Sequence, residues 1–198
     1  MKKKVLVLLY PGCIEFEIKA ALELLANQCE IYAVAPEKGT LHGSSGLLYQ
    51  INMSFEEALK ENFDCLLVPG GDPGSVVENQ ALSQLLKNAS QSGSIIGAVC
   101  AGPLLLAIAG ILKGRKQTNA AFYPAEMAHV WDESQLVREQ VVIDQNIVTA
   151  LPEAHIDFAA ETGWLMGVFE DKNQKTQWQQ YYKGIHQRDW SLSGPVSD

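Results

Sequence analysis

The sequence predicts an α/β fold in which a mostly parallel central sheet is covered by helices on both faces, a three-layer α/β/α sandwich. Short apolar runs alternate with stretches of helical periodicity along most of the chain. The runs at 5–9 (VLVLL), 65–68 (CLLV) and 95–99 (IIGAV) lack polar alternation, which marks strands buried on both faces. The chain has 198 residues and no linker, internal repeat or low-complexity tract. One domain over residues 1–190 is therefore expected, followed by a frayed tail at 191–198.

The elements follow in order. Residues 5–9 form the first strand, broken by Tyr10-Pro11-Gly12. A helix at 14–25 places Ile14, Ile18, Ala21, Leu22 and Leu25 at helical spacing. Glu15 and Glu17 fall in its first turn, where the helix dipole favours negative charge. A strand at 30–35 ends at Pro36. The pattern then weakens, and Gly39, Gly43 and Gly46 predict a hairpin-like excursion with strands near 40–42 and 47–51. Ser54-Phe55-Glu56-Glu57 resembles a capping box opening a short helix. The strand at 65–68 runs into Pro69-Gly70-Gly71-Asp72-Pro73-Gly74, and a helix follows at 81–92. The strand at 95–99 leads through Cys100 into a helix at 104–109, stopped by Gly110. Beyond it come a short strand at 116–119, a helical piece at 124–131 and strands at 136–143 and 146–150 around the turn Asp144-Gln145-Asn146. A helix at 156–169 is followed by a last one at 174–185, with Trp178, Tyr181, Tyr182 and Ile185 along one face.

Net charge is −8, from 15 basic and 23 acidic residues, which argues against a nucleic-acid partner. No apolar run approaches the ~20 residues of a membrane span, so no membrane partner is expected. Lys2-Lys3-Lys4 ahead of the first strand imitates a signal peptide, but the apolar stretch is short and Tyr10-Pro11-Gly12 stands where a small-residue cleavage site belongs. The expected location is cytoplasmic. The four cysteines, Cys13, Cys29, Cys65 and Cys100, show neither metal-ligand spacing nor a CxxC pair. Free thiols are expected, with no metal and no cofactor.

The stretch 94–110 carries the chemistry. Strand, one reactive side chain, small residues, helix: this is the layout of a nucleophile elbow. The small neighbours Ala101 and Gly102 let backbone pass close to a ligand, and Pro103 suits the first helical turn. The helix N-terminus favours a Cys100 thiolate. The same pattern also fits a buried structural cysteine.

In such sheets ligands bind outside the carboxyl ends of the strands. Three loops leave those ends with unusual residues: one carrying Glu15 and Glu17, one carrying Pro69-Gly70-Gly71-Asp72, and one carrying Cys100. If their strands are neighbours, an acid, a glycine turn and a thiol converge. The amides of Gly71 and Ala101 then form an oxyanion hole, with Gly70, Asp72 and Gly102 as further pocket residues. A tight turn with no further role is the plainer reading of Pro-Gly-Gly. A carboxyl facing the thiol has a raised pKa. Two-residue spacing keeps Glu15 and Glu17 from both facing the pocket, and at least one is expected to be a solvated helix-start charge. Of the histidines, His155 is the best placed as a base, although a solvated helix-start residue is its plainer reading. His42 reaches a site only across a subunit boundary, and His129 and His186 read as surface residues.

Ala98-Val99-Cys100-Ala101-Gly102-Pro103, Pro69-Gly70-Gly71 and the Glu17 turn together resemble the ThiJ/PfpI superfamily, which has the flavodoxin-like, class I glutamine amidotransferase-like fold. The resemblance runs from Val5 to about Phe169. Ser44-Ser45-Gly46-Leu47 with Ser54-Phe55, and Ala109-Gly110-Ile111-Leu112-Lys113-Gly114, look most like its isocyanide-hydratase-like branch. The resemblance implies Cys100 as the reactive cysteine, Glu17 rather than Glu15 as the acid contacting it, and Gly71 and Ala101 as oxyanion-hole amides. Asp157 matches an acidic position at the start of the last core helix. Many members carry a histidine about 20 residues after the cysteine; Ala120 stands at the matching position. Alanine also follows Cys100, where the protease-like branch has histidine. A family-type Cys-His dyad is therefore absent, and peptidase activity is not expected.

The reading that follows is a cysteine-dependent hydrolase or lyase acting on a small electrophile or amide. Glyoxalase-, deglycase-, isocyanide-hydratase- and amidase-like chemistry all fit, with Cys100 as nucleophile and Glu17 as acid/base. The alternatives are a protein responding to oxidative stress through oxidation of Cys100, and a non-catalytic ligand-binding member. Homodimers are usual in the superfamily, so a second copy of the chain is the expected protein partner, beside a small-molecule substrate.

Overall fold

The computed structural model describes residues 2–185. His186 and the tail at 191–198 lie outside the described residues. The first strand, β1 (Lys3–Leu8), is followed by a two-residue strand β2 (Cys13–Ile14), a 3-10 turn at Glu15–Ile18 and helix α1 (Lys19–Ala26). The helix expected from residue 14 thus starts at 19. β3 (Cys29–Ala35) leads to the hairpin β4 (Gly39–His42) and β5 (Leu48–Ile51), then to β6 (Met53–Ser54) and α2 (Phe55–Ala58). The capping box is present: Ser54 accepts from the Glu57 amide, and the Glu57 carboxylate accepts from the Ser54 amide.

β7 (Cys65–Val68) is followed by β8 (Gly70–Gly71) and α3 (Gln80–Ser92), capped by the Asn79 side chain. β9 (Ile95–Val99) and α4 (Gly102–Ile108) flank Cys100. β10 (Lys116–Gln117) pairs with β11 (Gln135–Leu136), and a 3-10 turn at Ala125–Trp131 lies between them. The strand expected at 136–143 is therefore two: β11 belongs to this small ribbon, and β12 (Val141–Asp144) pairs antiparallel with β13 (Ile147–Ala150). α5 (His155–Leu165) and α6 (Lys172–Tyr182) complete the described chain. The expected helix at 156–169 stops early because Gly167 turns the backbone with φ 69°.

Seven strands form the central sheet in the order β12-β13-β9-β7-β1-β3-β6, parallel except for the β12–β13 pair. α1, α5 and α6 pack together in one layer, and α2, α3 and α4 in the other. Leu6, Leu8, Leu66, Leu67, Val68, Ile96, Ala98 and Val99 are inaccessible to solvent, as strands covered on both faces must be. Gly97 sets how closely α5 approaches: a Cβ there would stand 2.8 Å from the Phe158 ring.

Sheet order decides the site. β9, β7 and β1 are adjacent, so the loops carrying Cys100, Gly70–Asp72 and Glu15–Glu17 emerge side by side. Two of them are joined by hydrogen bonding. β2 pairs antiparallel with β8, Cys13 opposite Gly71 and Ile14 opposite Gly70, and the Asp72 amide donates to the Gly12 carbonyl at 3.0 Å.

Candidate functional site

The elbow is a point of backbone strain. Cys100 has φ 60°, a left-handed conformation that costs a non-glycine residue about 1–2 kcal/mol. Its neighbours hold it there: the Cys100 amide donates to the Ala150 carbonyl at 2.8 Å, and its carbonyl accepts from the Ala120 amide at 2.8 Å. The turn leaves the thiol partly exposed, whereas Cys13, Cys29 and Cys65 are buried.

Glycine is required beneath the sulfur. A Cβ at Gly70 would stand 2.5 Å from Cys100 Cβ and 2.8 Å from Sγ. Gly71 has φ 106°, and a Cβ there would collide with the Gly12 carbonyl. Gly102 has a different task from the one expected: a Cβ would stand 2.6 Å from the Val68 carbonyl, so it lets α4 start against the β7 loop and does not line the cleft.

The amides of Ala101 and Gly71 both donate to Cys100, and the Glu17 carboxyl is hydrogen-bonded to it. Glu17 is 1% exposed, and its Oε2 accepts from the Gly70 amide at 2.9 Å. Burial pushes its pKa up, while the hydrogen bonds with Cys100 and Gly70 and the charge of His155 work the other way. Burial, the hydrogen bond to Glu17 and the charge of Glu17 push the Cys100 thiol up to about 11, against the pull of the two amides. This corrects the expectation that the α4 N-terminus yields a low thiol pKa. A carboxylate in contact outweighs two amides, and the pair shares one proton between its two ionisations.

Glu15 overturns another expectation. It is not solvated but 1% exposed. Its carboxylate accepts from the Ser44 amide and hydroxyl, both at 2.8 Å, from the Ser45 amide at 3.2 Å and from the Ser45 hydroxyl. Burial alone would raise its pKa, but these donors carry it down to about 2. Glu15 therefore clamps the tip of the β4–β5 hairpin, while Glu17 faces the thiol.

A cleft of about 470 Å³ opens over the sulfur, lined by Cys100, Gly71 and Ala101 together with Ile14, Pro73, Ala120 and Phe122. Phe122 is 97% exposed, and its place here has no periodic signal in the sequence. Asp72 also lines the cleft, but its carboxylate caps the following turn, accepting from the Gly74 amide at 2.9 Å. His155 does not line it. That side chain opens α5, packs edge-on against Phe16 at 5.9 Å and borders a separate groove with Lys19, Ile31 and Tyr182. Asp157 is turned to α6, accepting from Gln179 at 2.7 Å and Lys183 at 2.5 Å. His42 and His129 are exposed. Among the described residues no group of three His, Cys, Asp or Glu side chains is placed to hold a metal ion, and no helix is long and apolar enough to cross a membrane.

Known proteins share this arrangement of fold and sequence. Deglycase PfpI of Pyrococcus furiosus is 31% identical over 122 residues, covering 61% of this chain and 72% of that protein. A deglycase of Thermococcus kodakarensis is 28% identical over 149 residues, covering 74% and 89%. The crystal structure of DJ-1beta from Drosophila melanogaster superposes with a TM-score of 0.75 at 26% identity, over 93% of this chain and 98% of that one. The DJ-1/PfpI family model matches residues 3–162, which span the sheet from β1 into α5, and the chain belongs to that family.

Proposed function

We propose that the chain is a cysteine-dependent enzyme acting on a small electrophilic carbonyl compound, of the glyoxalase or deglycase type. The observation that carries this is the Cys100 sulfur in contact with the Glu17 carboxyl and the Gly71 and Ala101 amides, beneath a cleft of about 470 Å³. That volume suits a small molecule. The relatives named deglycases support the choice of substrate class.

The step follows from the shared proton. As Sγ attacks the electrophilic carbon, the thiol proton passes to the Glu17 carboxylate. The C=O electron pair moves onto oxygen, where the Gly71 and Ala101 amides receive the charge. Glu17 then returns the proton to that oxygen, leaving a neutral hemithioacetal. Proton transfer from a positioned group is worth ~10²–10⁴-fold. Ala120 gives the cleft an apolar wall where a histidine base would stand, which supports activated carbonyl substrates over peptides.

Turnover of methylglyoxal, a glycated amine, an isocyanide and a simple amide by the wild type and Cys100→Ala tests the reading. The expected result is activity on the first two, lost at least ~10³-fold in Cys100→Ala. Turnover of the isocyanide alone places the chemistry in hydration instead. Absence of any turnover, with sulfinate formed at Cys100 under peroxide, replaces the enzyme by an oxidation-responsive protein.

A further inference from the structure

Beneath Cys100, one buried side chain touches both peptides on which the site depends. Tyr10 follows β1 and is inaccessible to solvent. Its hydroxyl lies 2.9 Å from the Gly70 carbonyl oxygen and 3.1 Å from that of Pro69, so one proton is shared between two acceptors. The Pro69 carbonyl belongs to the same peptide unit as the Gly70 N–H, which donates to Glu17 at 2.9 Å. The Gly70 carbonyl belongs to the same unit as the Gly71 N–H, which donates to Cys100. Both peptides are trans, and in a trans peptide the C=O and N–H point in opposite directions. Holding the two oxygens on one side aims the two hydrogens at the other.

We propose that Tyr10 is a positioning residue of this site: its single hydroxyl, bound to two successive carbonyls, directs the Gly70 amide onto Glu17 and the Gly71 amide onto Cys100 and the oxyanion formed there. A fixing device is needed because two consecutive glycines rotate easily, and Gly71 already sits at φ 106°. Half a turn of the peptide between them would present an oxygen to the sulfur in place of a hydrogen, turning an anion donor into a repulsive acceptor. A hydrogen bond to the carbonyl also polarises the peptide and strengthens its N–H as a donor. Burial and the neighbouring Cys13, Glu17, Cys100 and Asp72 push the Tyr10 phenol above its ordinary value, so the donor keeps its proton at working pH.

The inference rests on Cys100 and Glu17 being the working pair, but its test needs no substrate. The rate of iodoacetamide alkylation at Cys100, read by mass spectrometry of the Cys100 peptide, is followed against pH in wild type and Tyr10→Phe. Loosening both amides moves both ionisations of the pair to higher pH, and the rate at pH 8 falls about tenfold, one pKa unit. In ¹⁵N-glycine-labelled protein the Gly70 and Gly71 amide signals move while that of Gly97 does not. Under the proposed activity kcat falls ~10²-fold with KM nearly unchanged. A folded Tyr10→Phe protein with an unmoved profile and unmoved glycine signals overturns the inference, leaving the β2–β8 ladder as the sole support. Lost turnover with an unmoved profile also overturns it, because Tyr10 then matters only to the fold. Should Tyr10→Phe not fold, 3-fluorotyrosine at position 10 keeps the ring with a stronger donor. The profile then moves to lower pH, and no movement overturns the proposal. Retained turnover in Cys100→Ala sinks the enzymatic reading instead, whatever Tyr10 does.

Discussion

Glu15 and Glu17 are two residues apart on one 3-10 turn, and each is 1% exposed. Their pKa values nevertheless move in opposite directions, Glu15 down to about 2 and Glu17 upward. Burial raises the pKa of both, so loss of solvent access does not by itself fix the direction of the shift. The surroundings do: Glu15 receives four hydrogen bonds from Ser44 and Ser45, whereas Glu17 receives one backbone amide and faces a thiol that shares its proton. The carboxylate met by many donors is a structural clamp. The carboxyl met by few donors beside the sulfur has its pKa raised, as the proposed proton transfer requires. The backbone period that separates their directions also separates their partners.

The largest effect is expected where sulfur and glycine floor are forced apart. Gly70→Ala places a methyl group against Cys100 Cβ and the Ala101 amide, and is expected to reduce alkylation and turnover by ~10³-fold. A folded Gly70→Ala protein with normal alkylation would show that the close approach is not needed.

Glu17→Gln comes next. Turnover is expected to fall ~10²-fold or more, because the proton carrier is gone. The thiol moves the other way: Glu17 raises its pKa, so removing the charge brings the ionisation below about 11, and alkylation begins at lower pH. The stability signature has a definite sign. A carboxyl raised in the fold contributes fully below its ordinary value of 4.5, and that contribution is lost as pH rises through the folded value. Glu17→Gln should therefore gain on the wild type in denaturation experiments as pH rises through that window. A constant difference would contradict the raised value.

Glu15→Gln reverses this pattern. Its carboxyl is depressed, so its contribution is present above the ordinary value of 4.5 and disappears as pH falls through about 2. A depression of this size is worth about 3 kcal/mol at neutral pH. Chemical denaturation at pH 7 should show that loss in Glu15→Gln and a much smaller one near pH 2, with turnover changed only modestly. Turnover falling as far as in Glu17→Gln would place the hairpin tip in the chemistry. The smallest effect belongs to His155→Asn. His155 lowers the Glu17 pKa only through its charge and lies outside the cleft, so turnover should change within ~3-fold across pH 6–8. A larger change would restore histidine to the mechanism.

The elbow was legible because its signal is local: a strand, a cysteine and a run of small residues with Pro103 can be read from adjacent positions. Glu17 could be chosen over Glu15 only through family resemblance, since helical spacing tells that they diverge and not which one meets the thiol. Ser44 and Ser45 gave no sign of their bond to Glu15 because 29 and 30 residues separate the partners. Tyr10 read as a strand break, and its bonds to Pro69 and Gly70 span 59 and 60 residues. The first helix starts at 19 and not at 14 because Cys13 and Ile14 pair with Gly71 and Gly70, and pairing across loops overrides helical periodicity.

The layered fold, the strands buried on both faces, the cysteine at the strand–helix turn and the glycines beside it can be read from the sequence alone. Apolar period, turn residues and small side chains act within a few positions, so they can be read in line. Chain folding brings the three loops together, gives Glu15 and Glu17 different partners, turns His155 to another groove and pushes the thiol up rather than down. Those outcomes depend on which groups meet across the sheet and on how many donors surround each charge, and neither is written in the spacing of residues along the chain.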